Sequence, residues 1–373
     1  MRIGFYAPLK SPNSPVPSGD RKMARLLMKA LQNLGHDVEL VSEFRSWEGR
    51  GDSGQQSYIQ AQADKEFMSV CAKYKAGRKL DCIFTYHLYH KAPDWIGGRL
   101  ADYLDIPYLI AEASYAPKQS RGYWNVGHQQ AEKCIRQARG VLSLNKDDMD
   151  CVNSILVEGQ VHMFVHPFSD EVAVKISDLD ADRQLFSQKF GIASSSVWLV
   201  CTAMMRQGDK FKSFQLLSNT LGNIALADWK LIVIGDGEQR LEVEALFKFY
   251  RDRVIFTGQL GYPELKKWLG CCDLYVWPGY REAFGLALLE AVSAGLPAVS
   301  YDYGGISSII RNQFNGIVVE PGNSEKFAKS VFDLIADSSL RQTMSENAIE
   351  KYRQDHTLDA AKIKLAKFLK EAI

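Results

Sequence analysis

Short apolar runs alternate with longer amphipathic segments along almost the whole chain, and the alternation starts twice. In the first half, Arg2–Tyr6, Asp37–Val41, Leu80–Thr85, Ile106–Ala111 and Gly140–Leu144 read as strands. Asp20–Leu34 repeats apolar residues at helical spacing, with Gly35 placed to close the helix, and Trp95–Leu104 reads as a second helix. The pattern restarts with a helix over Asp178–Phe190, followed by strands at Val197–Ala203, Lys230–Ile234, Val254–Phe256, Leu274–Trp277 and Ala298–Tyr301. A charged helix over Thr357–Ile373 ends the chain. Such βαβ alternation implies parallel sheets covered by helices on both faces. At 373 residues the chain exceeds one ordinary core, and Pro167 interrupts the pattern at His166–Ser169. The expected fold is α/β, with two Rossmann-like domains, 1–167 and 168–355, facing a central cleft. Residues 356–373 form a C-terminal helix packing back toward the first domain.

Composition narrows the function. The chain is 46% hydrophobic and 24% charged with a net charge of +1, so nothing global draws it to nucleic acid or strongly to an anionic membrane. Its seven cysteines are irregularly spaced without a CxxC pair, which argues for reduced thiols rather than a disulfide framework or a zinc site. MRIGFYAP reads as a strand and a Pro-rich loop, not a signal peptide, and no apolar run is long enough to span a bilayer. A cytoplasmic protein is expected, with room for peripheral contact at the inner face of the membrane.

The most informative segment runs from Pro278 to Pro297, PGYREAFGLALLEAVSAGLP. Its loop holds Glu282, a helix starts near Gly285, and Gly295 stops it. Ala283, Phe284, Gly285 and Leu286 stand where a helix begins, so their N–H groups suit a diphosphate. Glu282 lies just before that site, placed to accept hydrogen bonds from sugar hydroxyls. Glu290 follows eight residues later. At about 100° per residue it is only roughly 80° round the helix and two turns away, a fitting place for a carboxylate that accepts from a ribose diol.

This segment resembles the E-x7-E signature of the GT-B-fold retaining glycosyltransferases of the GT4 family. Further elements follow in the family's order: Lys230–Gly237 is similar to its strand-plus-GDG element, and Val254–Leu260 resembles its base-pocket strand. Gly304-Gly305 and Asn315-Gly316 match two later turns. The resemblance implies a nucleotide-sugar donor, transfer with retention, no metal ion and no cofactor beyond the donor itself. It places Gly235 and Leu260 beside the donor, with a UDP-sugar favoured over a GDP-sugar. In the family an Arg and a Lys in one loop pair with the pyrophosphate. Arg206 fits the first role, and Lys212 the second, because KSFQLL resembles KGFDLL; Ser213 stands where Gly is usual, and Lys210 is an alternative. A forked Arg and a point-charge Lys neutralise a diphosphate without a metal. Asp178, Asp180 and Asp182 have Asp-x-Asp spacing, but acidic residues at a helix start explain them better.

In the first half, Ser18-Gly19-Asp20-Arg21 resembles the family's glycine-rich loop, with Ser18 in place of the first Gly. Gly19 would let backbone N–H groups approach the donor, and Ser18 or Asp20 would cap the helix that follows. Many relatives carry a His after the strand that follows Ile106-Pro107; here Glu112 is the nearest polar residue, and His87 and His90 follow the preceding strand. His87 and Glu112 are the acceptor-side candidates. Lys118, Arg121, Tyr123, Trp124 and His128 make a basic, aromatic segment suited to an acceptor, a membrane surface or plain packing. A glycan, a lipid-linked glycan and a small metabolite all fit as acceptor. A GT-B-fold epimerase or phosphorylase, or a nucleotide-sugar-binding protein without transfer, are the alternatives; without GxGxxG after either first strand, a dinucleotide-dependent oxidoreductase is disfavoured.

Overall fold

The strands expected from the apolar runs assemble into two six-stranded sheets in a computed structural model that describes every residue except 76, 78, 172–179, 283 and 284. The chain divides into two units, Met1–Phe168 with Leu358–Ile373, and Ser169–Thr357.

The first unit contains β1 (Arg2–Tyr6), β2 (Asp37–Ser42), β3 (Cys82–Leu88), β4 (Tyr108–Ala113), β5 (Gly140–Ser143) and β6 (Val161–Phe164), in the order β2-β1-β3-β4-β5-β6. Every adjacent pair is parallel. All of β4 and β5 is buried, as expected of strands covered on both faces. The crossovers are α1 (Gly19–Asn33), α2 (Ser53–Lys75), α3 (Gly97–Leu104), α4 (Asn125–Gln137) and α5 (Lys146–Asn153). Ser18 caps α1 by accepting from Arg21 N at 3.2 Å, and Gly35, at φ +84°, closes it. The strand order reverses between β1 and β3, so the loops at their carboxyl ends open a crevice there.

Several elements go beyond the runs that the apolar pattern picks out, and α2 and β6 show why. Helix α2 is rich in polar residues, and its few buried side chains, among them Ile59, Ala63, Val70 and Cys71, make only a thin stripe. Strand β6 is four half-buried residues at the sheet edge. Strands β3 and β4 also run past the expected ends, because Leu88 and Ala113 are buried and pair in register. His87 and Glu112 therefore belong to the strand ends rather than to the loops beyond them.

The second unit contains β7 (Val197–Thr202), β8 (Trp229–Ile234), β9 (Val254–Gly258), β10 (Leu274–Val276), β11 (Ala298–Tyr301) and β12 (Gly316–Val319), all parallel, in the order β12-β11-β10-β7-β8-β9. Read from β9, this is the doubly wound order, with its switch point between β7 and β10. Around it lie α6 (Asp180–Phe190), α7 (Asp209–Asn223), α8 (Arg240–Leu246), α9 (Tyr262–Cys271), α10 (Leu286–Ser293), α11 (Ile306–Ile309), α12 (Ser324–Ala336) and α13 (Ser338–Lys351). Trp198, Trp229, Phe214, Leu231, Val276 and Leu289 are among its fully buried core. Asp178 lies outside the described residues, and Asp182 pairs with Lys267 at 3.3 Å. A π-helical turn, Tyr352–His356, ends the unit; its last carbonyl accepts from Ser169 N at 2.9 Å, and the Tyr352 hydroxyl donates to Glu171 O at 2.8 Å.

The last helix, α14 (Leu358–Ala372), packs on α1, β5 and β6 of the first unit through Ala361, Leu365, Phe368 and Leu369. Gly140 permits this contact, since a Cβ there would sit 2.7 Å from the Phe368 ring.

Candidate functional site

In the second unit, the loops after β7 and β10 lie at the switch point, where open parallel sheets bind ligands. The loop after β7 carries Arg206 and enters α7 at Gly208, whose φ of +87° suits glycine. Arg206 is exposed, and its carbonyl accepts from Phe211 N at 3.1 Å. The loop after β10 turns at Gly279, φ +60°, where Glu282 N donates to Gly279 O at 2.9 Å. It ends at Gly285, φ +66°, which opens α10 and accepts from Leu289 N at 2.9 Å.

Helix α7 and the β10 loop are tied by an ion pair and a hydrogen bond. Lys210 Nζ donates to a Glu282 carboxylate oxygen, with side-chain exposures of 34% and 20%. Ser213 Oγ accepts from Tyr280 N at 2.9 Å while donating to Asp209 O at 2.9 Å. Lys210 Nζ also sits 5.7 Å from the centre of the Trp277 ring. Lys212, two residues on, is exposed: at about 100° per residue the two lysines cannot share a face. Sequence similarity favours Lys212; the start of α7 at Asp209 puts Lys210 in its first turn, beside Glu282. Ser213, in sequence only a departure from a usual glycine, is 1% exposed and is what holds Tyr280.

The GDG element after β8 presses its backbone onto the loop after β7. Ala203 N donates to Ile234 O at 3.0 Å, Met205 N to Asp236 O at 2.9 Å and Gln239 N to Met205 O at 3.0 Å. A Cβ on Gly235 would come within 1.9 Å of Ala203 O, and one on Gly237 within 2.3 Å of Met205 O, so glycine is required at both. Gly235 N also donates to Gly258 O at 3.0 Å, which joins the β8 and β9 loops. Leu260, just beyond β9, packs partly buried on the core.

Glu290 is half-buried on α10 and lines a shallow cleft, with a cavity of only about 10 Å³, together with Glu171, Tyr262, Leu265 and Lys266. Leu286 is the first residue of α10, and Ala283 and Phe284 lie outside the described residues. Nearby, Asn315 is fully buried and closes the turn before β12, accepting from Arg311 N at 2.8 Å and donating to Ile309 O at 3.2 Å. The second unit thus places Arg206, Glu282, Gly235 and Gly285 on the loops at the carboxyl ends of neighbouring strands, and Lys210 in the first turn of α7 beyond one of them.

In the first unit Gly19 is the first residue of α1, behind the Ser18 cap. His87 Nδ1 lies 3.0 Å from Asp20 Oδ1 in the first turn of α1. Burial alone would depress this imidazole, but the Asp20 hydrogen bond and charge outweigh it and raise its pKa above the ordinary value. Glu112 is 2% exposed; its Oε2 accepts from Leu144 N at 2.6 Å, and burial pushes its pKa up to about 7. His90 packs edge-on against Trp124, and burial pulls its pKa down to about 4. Tyr123 is 81% exposed, whereas Trp124 donates to Glu48 and His128 is buried. The Asp20–His87 pair has no signal in the sequence, since 67 residues separate its members. Among the described residues no group of three or more His, Cys, Asp or Glu is arranged to hold a metal ion, and no helix is long and apolar enough to cross a membrane.

The chain is similar to known proteins in sequence and in fold. Residues 203–351, all in the second unit, match the family of glycosyl transferases group 1. Alpha-D-kanosaminyltransferase of Streptomyces kanamyceticus is 27% identical over 64% of this chain and 61% of its own length. N-acetyl-alpha-D-glucosaminyl L-malate synthase of Bacillus anthracis is 30% identical over 45% of this chain and 44% of its own. The chain thus matches less than two thirds of the length of these relatives. Among solved structures, sucrose-phosphate synthase of Thermosynechococcus elongatus superimposes with a TM-score of 0.76 at 17% identity, covering 100% of this chain and 98% of that one. HepE of Anabaena in complex with UDP gives 0.73 at 16% identity, covering 99% and 100%. The second unit is thus similar to the group 1 glycosyltransferases over residues 203–351, and the chain shares the GT-B type of fold with these solved structures, two parallel sheets flanked by helices.

Proposed function

We propose that the protein transfers a sugar, with retention of anomeric configuration and without a metal ion, from a nucleotide-sugar donor held by the second unit to a hydroxyl acceptor. The observation that carries this reading is the meeting of Lys210 with Glu282 at the β7–β10 switch point, next to the β7 loop that carries Arg206. Arg206 and Lys210 neutralise the diphosphate, joined by the N–H groups at the start of α10, and so stabilise the charge that develops as it leaves. Glu282 orients the sugar hydroxyls, and Glu290 accepts from the ribose. Lys210 thereby takes the role that sequence similarity gives to Lys212. Leu260 and Gly235 flank the nucleotide. A UDP-sugar is the favoured donor, because HepE of Anabaena, a structural neighbour, has been crystallised with UDP and with UDP-glucose. The acceptor is a glycan, a lipid-linked glycan or a small metabolite, met by the first unit in the cytoplasm, with peripheral membrane contact where it is a lipid.

The test is consumption of UDP-glucose by the wild-type protein and by Glu282→Ala, followed by mass spectrometry with and without EDTA. Donor cleavage that resists EDTA and falls at least roughly a hundredfold in the variant supports the reading, that being the usual scale for a removed transition-state contact. Cleavage that survives Glu282→Ala unchanged removes Glu282 from the mechanism.

A further inference from the structure

Two residues on adjacent strands of the first unit adopt a backbone conformation that side chains avoid. His87, near the end of β3, has φ +60°, and Glu112, near the end of β4, has φ +61°. The flanking pairs Tyr86–Ala111 and Leu88–Ala113 are in register, so the two strained residues stand side by side. Left-handed non-glycine backbone costs about 1–3 kcal/mol per residue and persists where the surroundings impose it, most often at functional sites. Neither residue sits in a tight turn that would require it.

The charges around the pair are concentrated. Asp20, from the first turn of α1, meets His87 at 3.0 Å; their side chains are 29% and 15% exposed, within reach of a ligand. Asp148 of α5 adds a third carboxylate near His87, and Lys10 acts on Asp20 from the β1 loop. Tyr86 and Tyr89 set their rings 5.7 and 5.4 Å from the imidazole. This is the β1–β3 switch point, where the carboxyl ends of an open sheet receive ligands. In a carboxylate–imidazolium pair the carboxylate accepts from one hydroxyl and the imidazolium N–H donates to another, and the opposing charges suit a neutral ligand.

We propose that Asp20, His87 and Glu112 form a hydroxyl-binding subsite of the first unit, in which the Asp20–His87 pair contacts a neutral, hydroxyl-rich acceptor and Glu112 positions His87 from the neighbouring strand. The inference rests on the glycosyl-transfer reading above and supplies its acceptor class. Glu112 is too buried to meet the ligand itself, so it acts as a positioning residue through the imidazole.

The experiment is an imidazole NMR titration of the full-length protein with labelled histidine, with the His87 signal identified by its loss in His87→Gln. The probes are methyl α-D-glucopyranoside, methyl α-D-mannopyranoside and myo-inositol, and UDP binding is measured in the same samples. His87 is expected to shift with at least one polyol, and Asp20→Asn to weaken that binding by roughly tenfold, as for a lost hydrogen bond to a charged group. Glu112→Gln, which keeps the side-chain shape, is expected to lower the midpoint of the His87 titration; a purely structural Glu112 would leave it in place. A His87 signal that no polyol moves, or equal polyol affinity in Asp20→Asn and wild type, overturns the inference. If UDP binds while His87 stays unmoved, the subsite alone fails; if UDP does not bind the wild-type protein, the reading of function fails and takes the subsite with it.

Discussion

Lys210 Nζ donates to the Glu282 carboxylate across the loops that follow β7 and β10. The contact sets an opposite charge beside Glu282, and under the proposed function it favours Lys210 over Lys212 as the lysine that meets the donor. Lys210→Ala is therefore expected to weaken UDP binding at least roughly tenfold, the scale of a lost charge-assisted hydrogen bond. Lys212→Ala, on the exposed face, is expected to stay within about twofold, as surface changes usually do. Isothermal titration of both variants with UDP checks the pair; equal losses contradict the assignment.

Ser213 offers a second check on the same junction. Its buried hydroxyl holds Tyr280 N, so Ser213→Ala leaves a backbone donor without its partner, at a cost of about 1–3 kcal/mol. Urea unfolding is expected to show that loss, with UDP affinity reduced as the Pro278–Glu282 loop slackens. A variant as stable as wild type would mean that the loop does not depend on this bond.

Gly235 tests the backbone packing beneath the site. A Cβ there meets Ala203 O at 1.9 Å, so Gly235→Ala is expected to cost on the order of 3 kcal/mol. Gly208 also has positive φ, with ψ −134°, but a Cβ at that position would meet nothing within 4 Å, so Gly208→Ala is expected to cost about 1–3 kcal/mol from backbone preference alone. Melting temperatures of the two variants, compared side by side, distinguish steric conflict from backbone preference.

Glu112 makes stability depend on pH. Burial raises its folded pKa from 4.5 to about 7, so the folded protein holds this proton more tightly than the unfolded chain. The resulting penalty is absent below pH 4.5, grows between pH 4.5 and about 7, and is complete above that. Glu112→Gln keeps an acceptor for Leu144 N and carries no charge. Its melting temperature relative to wild type is expected to rise steadily across this window and then level off; a constant difference from below the window to above it contradicts the buried-carboxyl account. His87 works in the opposite sense: with its pKa raised, its pairing with Asp20 stabilises the protein below the unfolded value of 6.5, and the benefit is lost as pH rises through the folded pKa.

The parts legible in the sequence are those whose physics is local. Arg2–Tyr6 and Ala298–Tyr301 coincide with β1 and β11, because uninterrupted apolar runs between polar turns permit little else. Gly35 and Ser18 mark the ends of α1 by their chemistry alone. Helix α2 escapes because a polar helix buries too thin a stripe to give a period, and β6 because a half-buried edge strand looks like a loop. At the site, Glu282 and the GDG glycines follow from motif and spacing. The choice between Lys210 and Lys212 depends on the residue at which α7 begins, and sequence patterns leave helix ends loosely placed. The Asp20–His87 pair and the paired strain at His87 and Glu112 arise from register between strands far apart in the chain, which no local pattern encodes.

The central claim is a metal-independent nucleotide-sugar site in the second unit, and calorimetric titration with UDP, GDP and ADP, each with and without EDTA, tests it most directly. The account predicts saturable binding of UDP in preference to the others, unchanged by EDTA and weakened in Glu290→Ala. Absence of binding by all three nucleotides, or UDP binding that EDTA abolishes, would contradict it.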